Sequence, residues 1–244
     1  MTTAKIHSYE SLATLDGDGV RFAVFLSGCP LRCVYCHNPD TWSCFEKELT
    51  VEQFVEKVRR YKPYFSNGGG VTFSGGEPLL QAEFIAEVSP LLAEKNISYA
   101  LDTSGAVDLT DEVEKAVDGA DLVILDLKFW DNASYKKYTG GDIQKVINFG
   151  DYLQKINKRV WLRTVIVPDI NDSEALVDKY LSISSRWQNV EKYELLAFHT
   201  LGFSKYENLG IANPLKTTPP LSSDTLTILQ NYLNSHFQVK HQQL

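Results

Sequence analysis

Six times along this 244-residue chain a short apolar stretch is followed by a segment with helical spacing, and that alternation constrains the fold more than any other feature. Strands are predicted over residues 21–27, 70–73, 97–101, 122–127, 159–167 and 191–198. Helices are predicted over residues 51–61, 79–95, 110–117, 143–156, 172–187 and 223–237. The run from Leu122 to Leu127 (LVILDL) is apolar at almost every position, as in a strand buried on both faces of a parallel sheet. Thr50 and Gln53 stand at capping-box spacing before an apolar face of Val51, Phe54, Val55 and Val58. Pro90 is expected to kink the second helix, and Pro168 to end the fifth strand. Strand–helix units in series join by right-handed crossovers into a parallel sheet. Being two units short of an eight-fold barrel, they predict an α/β fold: an open, partial (β/α)6 TIM-like barrel with outer helices. No low-complexity stretch or long linker interrupts residues 1–244, so one domain is expected, with segment 1–20 capping the barrel.

Charge and composition exclude several classes. Lys and Arg number 24 against 31 Asp and Glu, a net charge of −7, which argues against a general grip on nucleic acid. No apolar run approaches the ~20 residues that span a bilayer, and Met1 to His7 contains no apolar core of a secretory signal. Four cysteines distributed three and one suit a reducing cytosol better than a disulfide framework, so a cytoplasmic location is expected.

The three are Cys29, Cys33 and Cys36, within eight residues of one another. A disulfide would leave one thiol over. Zinc would need a fourth ligand, with His37 and Cys44 the near candidates. An iron–sulfur cluster accepts thiolates at such short spacings, and three of them would leave one iron of four open to exogenous chemistry. From the residues alone these alternatives stay open. Cys44 is read as a small buried hydrophobe, with a ligand role as the alternative.

The other unusual residues share an address. In a barrel, sites lie at the C-terminal ends of the strands, and there the chain carries Ser74-Gly75-Gly76-Glu77-Pro78, Asp102-Thr103-Ser104-Gly105, Asp126 with Lys128, Arg163, and His199. Each has an ordinary reading as well. The glycines make a turn into a helix, and the acids cap helices or face solvent. Arg163 could sit in a structural ion pair, and His199 could be a structural histidine. Lys128 alternates onto the strand face of Asp126, where it can pair with that carboxylate. Asp16-Gly17-Asp18-Gly19-Val20-Arg21, ahead of the first predicted strand, reads locally as a Gly-rich turn.

The triplet resembles the signature of the radical S-adenosylmethionine (SAM) enzymes, and the stretch Cys33-Val34-Tyr35-Cys36-His37-Asn38 resembles, within them, the activating enzymes of glycyl radical enzymes. The resemblance extends from about Ile6 to Lys205. It implies one 4Fe–4S cluster on Cys29, Cys33 and Cys36, with S-adenosyl-L-methionine chelating the fourth iron. Tyr35 would lie by the adenine, and Gly75, Gly76 and Glu77 would meet the methionyl amino group. Cys36, His37, Asp126, Leu127, Lys128, Arg163 and His199 complete the implied SAM site, and Asp102, Thr103 and Asp126 would hold a monovalent cation. Asp16, Arg21 and His37 would border the incoming peptide, although Asp18 stands where the family pattern has Pro. The implied activity is that of an oxidoreductase that installs a glycyl radical on a partner enzyme, with pyruvate formate-lyase the favoured partner. A one-electron donor such as flavodoxin or ferredoxin would supply the cluster, with neither nucleic acid nor membrane involved and the chain a monomer. The alternatives are a radical SAM enzyme for a small molecule such as a 7-carboxy-7-deazaguanine synthase, an activase for another glycyl radical enzyme such as anaerobic ribonucleotide reductase, and a non-catalytic zinc or electron-transfer module.

Overall fold

The computed structural model describes residues 2–237. Its eight strands are β1 (Thr3–Ala13), β2 (Arg21–Leu26), β3 (Lys47–Thr50), β4 (Gly70–Gly75), β5 (Ser98–Thr103), β6 (Leu122–Asp126), β7 (Val160–Ile166) and β8 (Val190–Ala197). They form one sheet in the order β3-β1-β2-β4-β5-β6-β7-β8. β2–β4, β4–β5 and β7–β8 pair in parallel, as the strand–helix alternation requires. The fold is α/β, a mostly parallel sheet with outer helices.

Two strands lie outside the six expected. β1 pairs antiparallel with β2 and also with β3, at the edge of the sheet. Ala4 and Ile6 alternate into the core, but register shifts at Ile6/Ser8 and Ser11/Ala13 break the two-residue period. A bulge moves the apolar set off one face, which hid this strand from pattern reading.

The helices are α1 (Val51–Arg59), α2 (Ala82–Glu94), α3 (Asp111–Asp118), α4 (Asn132–Thr139), α5 (Ile143–Lys155), α6 (Glu174–Ser184), α7 (Phe203–Leu209) and α8 (Ser223–His236). The capping box at α1 is present in both directions, between Thr50 and Gln53. α2 runs on through Pro90. α4 and α7 were not predicted, because each buries too little to show a helical stripe: Tyr135 and Thr139 in α4, and Tyr206 in α7. Among the described residues no helix is long and apolar enough to cross a membrane.

The chain divides into two compact units. The first comprises the residues up to Pro30 together with Asp40–Ile124. Its core is aromatic: Phe54 lies 5.5 Å from both Phe73 and Phe84, and Phe73 lies 5.6 Å from Tyr99. Each such ring, fully buried, contributes about 1.5–3 kcal/mol. The second unit comprises Leu31–Pro39 and the residues from Leu125 onward. It buries Leu125, Leu127, Phe129, Tyr135, Phe149, Leu162 and Tyr180.

Candidate active site

In the first unit the stem of the cysteine loop and the turn after β4 are stitched together. Gly76 N–H donates to Leu26 O at 2.9 Å and Glu77 N–H to Gly28 O at 2.7 Å. Gly75 has φ +114°, and a Cβ on Gly76 would stand 2.1 Å from Gly28 O. Only glycine permits that approach.

Glu77 then turns inward. Its carboxylate is fully buried and accepts from Thr103 Oγ1 at 2.6 Å, Ser104 N at 2.9 Å, Leu79 N at 3.1 Å and the Ser104 hydroxyl. Burial pushes its pKa up, and the donors from Ser104, Thr103 and Leu79 oppose that rise. Glu77 is thus a strut between two strand ends. Asp102 accepts from Ser74 Oγ at 2.6 Å, and Thr103 also accepts from Gly105 N at 3.0 Å.

The Asp16–Arg21 turn belongs to the same unit. Arg21 is 3% exposed, and its guanidinium donates to Thr72 Oγ1, Asp18 O, Gly68 O and Val71 O. Thr72 Oγ1 in turn donates to Asp16 O at 2.7 Å. Gly19, at φ +66°, has Ser66 O where a Cβ would be. Arg21 therefore holds the turn from within, and Asp16 is half-buried at its start.

In the second unit the cysteine loop is held from two sides. Arg32 N donates to Thr139 O at 2.7 Å and Val34 N to Tyr138 O at 2.9 Å, both at the end of α4. From α7, Tyr206 Oη donates to Cys36 O at 2.7 Å and Lys205 Nζ to Asn38 Oδ1 at 2.6 Å. Tyr35 is buried, its ring 6.1 Å from that of Phe129. His37 and His199 meet edge to face at 5.0 Å. Crowding by protein atoms, then His199, Lys205 and Lys128, hold the imidazole of His37 down at about 4, although part of the residue still faces solvent.

Lys128 Nζ lies 2.7 Å from Asp126 Oδ2, the pairing expected from strand alternation. Burial, the largest influence, opposes the charge on Lys128, but Asp126 together with Tyr35, Cys33 and Tyr135 outweighs it and holds the ammonium above its ordinary pKa. Leu127 is fully buried; its N–H donates to Arg163 O and its carbonyl accepts from Thr164 Oγ1. The structural reading of Arg163 has its partner, with Nε 3.3 Å from Glu194 Oε2.

Among the described residues all four cysteines are thiols and none forms a disulfide. Cys33 is buried, and Cys29 and Cys36 are half-buried. Cys44 is exposed, which corrects its reading as a small buried hydrophobe: it lies in a loop between a short helical turn and β3, with no core beside it. No group of three or more His, Cys, Asp or Glu side chains is preassembled around a metal position among the described residues. Thiolates are drawn together by the metal bonds themselves, on deprotonation. The surroundings suit a polar cofactor. Tyr35 Oη and His199 Nδ1 are buried without a hydrogen-bond partner, a costly state unless a ligand supplies one.

Sequence reasoning missed the groups that hold the loop. Tyr138 and Thr139 act through their backbone carbonyls, which leave no motif, and the partners of Lys205 and Tyr206, Asn38 Oδ1 and Cys36 O, are set by the fold.

The model of the Radical SAM superfamily matches residues 23–179. A pyruvate formate-lyase-activating enzyme from Clostridium pasteurianum is 43% identical over 235 residues, covering 96% of this chain and 98% of that relative. Its counterpart from Staphylococcus epidermidis is 40% identical over 245 residues, with 96% of each chain covered. Among solved structures, a domain of pyruvate-formate lyase-activating enzyme from Bacteroides vulgatus matches with a TM-score of 0.56 at 19% identity, covering 69% of this chain and 94% of that one. Streptococcus suis SuiB bound to its precursor peptide matches with a TM-score of 0.67 at 14% identity, covering 88% and 45%. The chain therefore belongs to the radical SAM superfamily and, within it, to the pyruvate formate-lyase-activating enzymes. A 4Fe–4S cluster and SAM are the cofactors of that family.

Proposed function

We propose that this chain activates pyruvate formate-lyase by using SAM to remove a hydrogen from one glycine α-carbon of that partner. The observation that carries the reading is the pair of backbone hydrogen bonds joining residues 76–77 to Leu26 and Gly28, because it ties the glycine turn directly to the stem of the cysteine loop. Cys29, Cys33 and Cys36 hold the cluster. Bound there with SAM, the cluster would supply the one-electron reduction that splits SAM, with loss of methionine, for hydrogen abstraction from the partner's glycine.

The chain's own residues bind and orient. The backbone of Gly75, Gly76 and Glu77 receives the methionyl amino group, while the Glu77 carboxylate, already engaged by four donors, braces the turn. Lys128 presents a charge for the SAM carboxylate, and Asp126 keeps that charge in place. Tyr35 and His199 offer buried polar atoms to the adenosyl end, and Arg163 and Leu127 support this side through the strand. Asp102, Thr103 and Asp126 hold a monovalent cation if one is recruited; Asp102 accepts from Ser74 and Asp126 pairs with Lys128. Asp16 and His37 border the partner's peptide, and Arg21 contributes by fixing the turn that carries Asp16. The chain acts as a cytoplasmic monomer, as a single radical SAM domain, and takes its electron from a flavodoxin or ferredoxin.

The test is direct. Anaerobically reconstituted protein is incubated with reductant, SAM and pyruvate formate-lyase, and a glycyl radical is sought by electron paramagnetic resonance. Its absence, with SAM cleavage intact, would redirect the assignment to another substrate. With a partner peptide deuterated at the glycine α-carbon, Asp16→Ala should transfer deuterium only at much higher peptide concentration, with SAM binding spared. Equal transfer would remove Asp16 from the peptide site.

A further inference from the structure

We propose that Gln81 is a positioning residue for the first cluster ligand: its side-chain amide fixes the stem of the cysteine loop and thereby sets where Cys29 stands. Gln81 closes the single helical turn Pro78–Gln81 that follows Glu77. Its Nε2 donates to Ser27 O at 2.9 Å and to Lys5 O at 3.0 Å, and its Oε1 accepts from Lys5 N at 2.8 Å. Both amide hydrogens are used.

The value of these bonds lies in which carbonyls they reach. Leu26 O is taken by Gly76 N–H and Gly28 O by Glu77 N–H. Ser27 O, between them, receives no backbone N–H from that turn. Gln81 supplies that rung with a side chain. All three carbonyls before Cys29 are then held by residues 76–81. The held segment also organises the far end of the loop, because Gly28 N donates to Thr41 O at 2.8 Å and Ser27 Oγ donates to Cys44 O. Ser27 N donates to Lys5 O at 3.0 Å, so β1, the stem and Gln81 form one closed set of hydrogen bonds.

The inference rests on the proposed function only in taking Cys29 as a cluster ligand. Gln81→Met keeps the length of the side chain and removes its polarity, while Gln81→Glu keeps an acceptor for Lys5 N but sets a carboxylate oxygen against Ser27 O. The control is Glu87→Ala, which removes another tether of the N-terminal segment, Thr2 Oγ1 to Glu87 Oε1 at 2.7 Å just before β1, without touching the stem.

The reconstituted proteins are compared for the rate of iron release to a chelator, for thermal midpoint, and for the change that SAM produces in the resonance spectrum of the reduced cluster. Both Gln81 variants should release iron about tenfold faster, equivalent to about 1.4 kcal/mol, with an altered SAM-dependent spectrum. Glu87→Ala should match wild type in both readouts, whatever its thermal midpoint. Wild-type release and spectrum in the Gln81 variants would overturn the positioning role alone. Equal acceleration in Glu87→Ala would overturn it too, by assigning the effect to general loosening of the strand. A wild-type chain that takes up no iron would overturn the proposed function first, and this role with it.

Discussion

The Oε1 of Glu77 and the hydroxyl of Thr103 lie 2.6 Å apart, so the turn after β4 is bolted to the end of β5 by a buried carboxylate. All four groups facing that carboxylate are donors. In Glu77→Gln the amide hydrogens would confront two of them. A loss of about 1–3 kcal/mol in stability is expected, the cost of leaving buried donors unsatisfied. Denaturant titration checks it, and wild-type stability in the variant would show that the strut is dispensable.

Gly76→Ala should be worse for the cofactors than for the fold. The new Cβ meets Gly28 O, a backbone atom that yields only if the stem moves. Overpacking of this kind costs about 1–3 kcal/mol. Iron content after reconstitution and SAM affinity by calorimetry should both fall, and unchanged values would separate the turn from the cysteine loop.

Replacing Cys29, Cys33 or Cys36 with Ala should abolish the four-iron cluster, as read by iron and sulfide analysis. Cys44→Ala should leave it intact, since its thiol is exposed. Loss of the cluster in Cys44→Ala would defeat the argument for an open iron.

Lys128→Met removes the counter-ion of Asp126 and the charge proposed for the SAM carboxylate. Charge-assisted hydrogen bonds are worth ~1.5–3 kcal/mol, so SAM should bind roughly ten- to a hundredfold more weakly, with cluster content preserved. Equal affinity in calorimetric titrations would take Lys128 out of the site.

Tyr206→Phe deletes one hydroxyl and leaves Cys36 O without its bond from α7. The expected loss is about 1 kcal/mol in stability, with faster iron release to a chelator. A variant as retentive as wild type would confine the role of α7 to packing.

What the sequence determined by itself was whatever is local or periodic. The apolar run at Leu122–Leu127 and five similar stretches announced a parallel α/β sheet, because burial on both faces forces a nearly unbroken apolar string. Thr50 and Gln53 announced the start of α1, because a capping box is complete within four residues. The spacing of Cys29, Cys33 and Cys36 marked the loop proposed to hold the cluster, and Lys128 two residues after Asp126 on an extended strand foretold their ion pair.

Tertiary structure alone decided what each polar group would face. Glu77 and Arg21 look like site residues in a sequence, yet both side chains turn inward, because strand ends far apart in the chain supply the partners that make their burial affordable. β1 was concealed by bulges that break its alternation, and α4 and α7 by the few residues they bury. The contacts of Gln81, Tyr138 and Tyr206 could not be read from the pattern for a common reason. All of them are made with backbone N–H groups and carbonyls, present at nearly every position, so only the folded chain determines which of those groups meet.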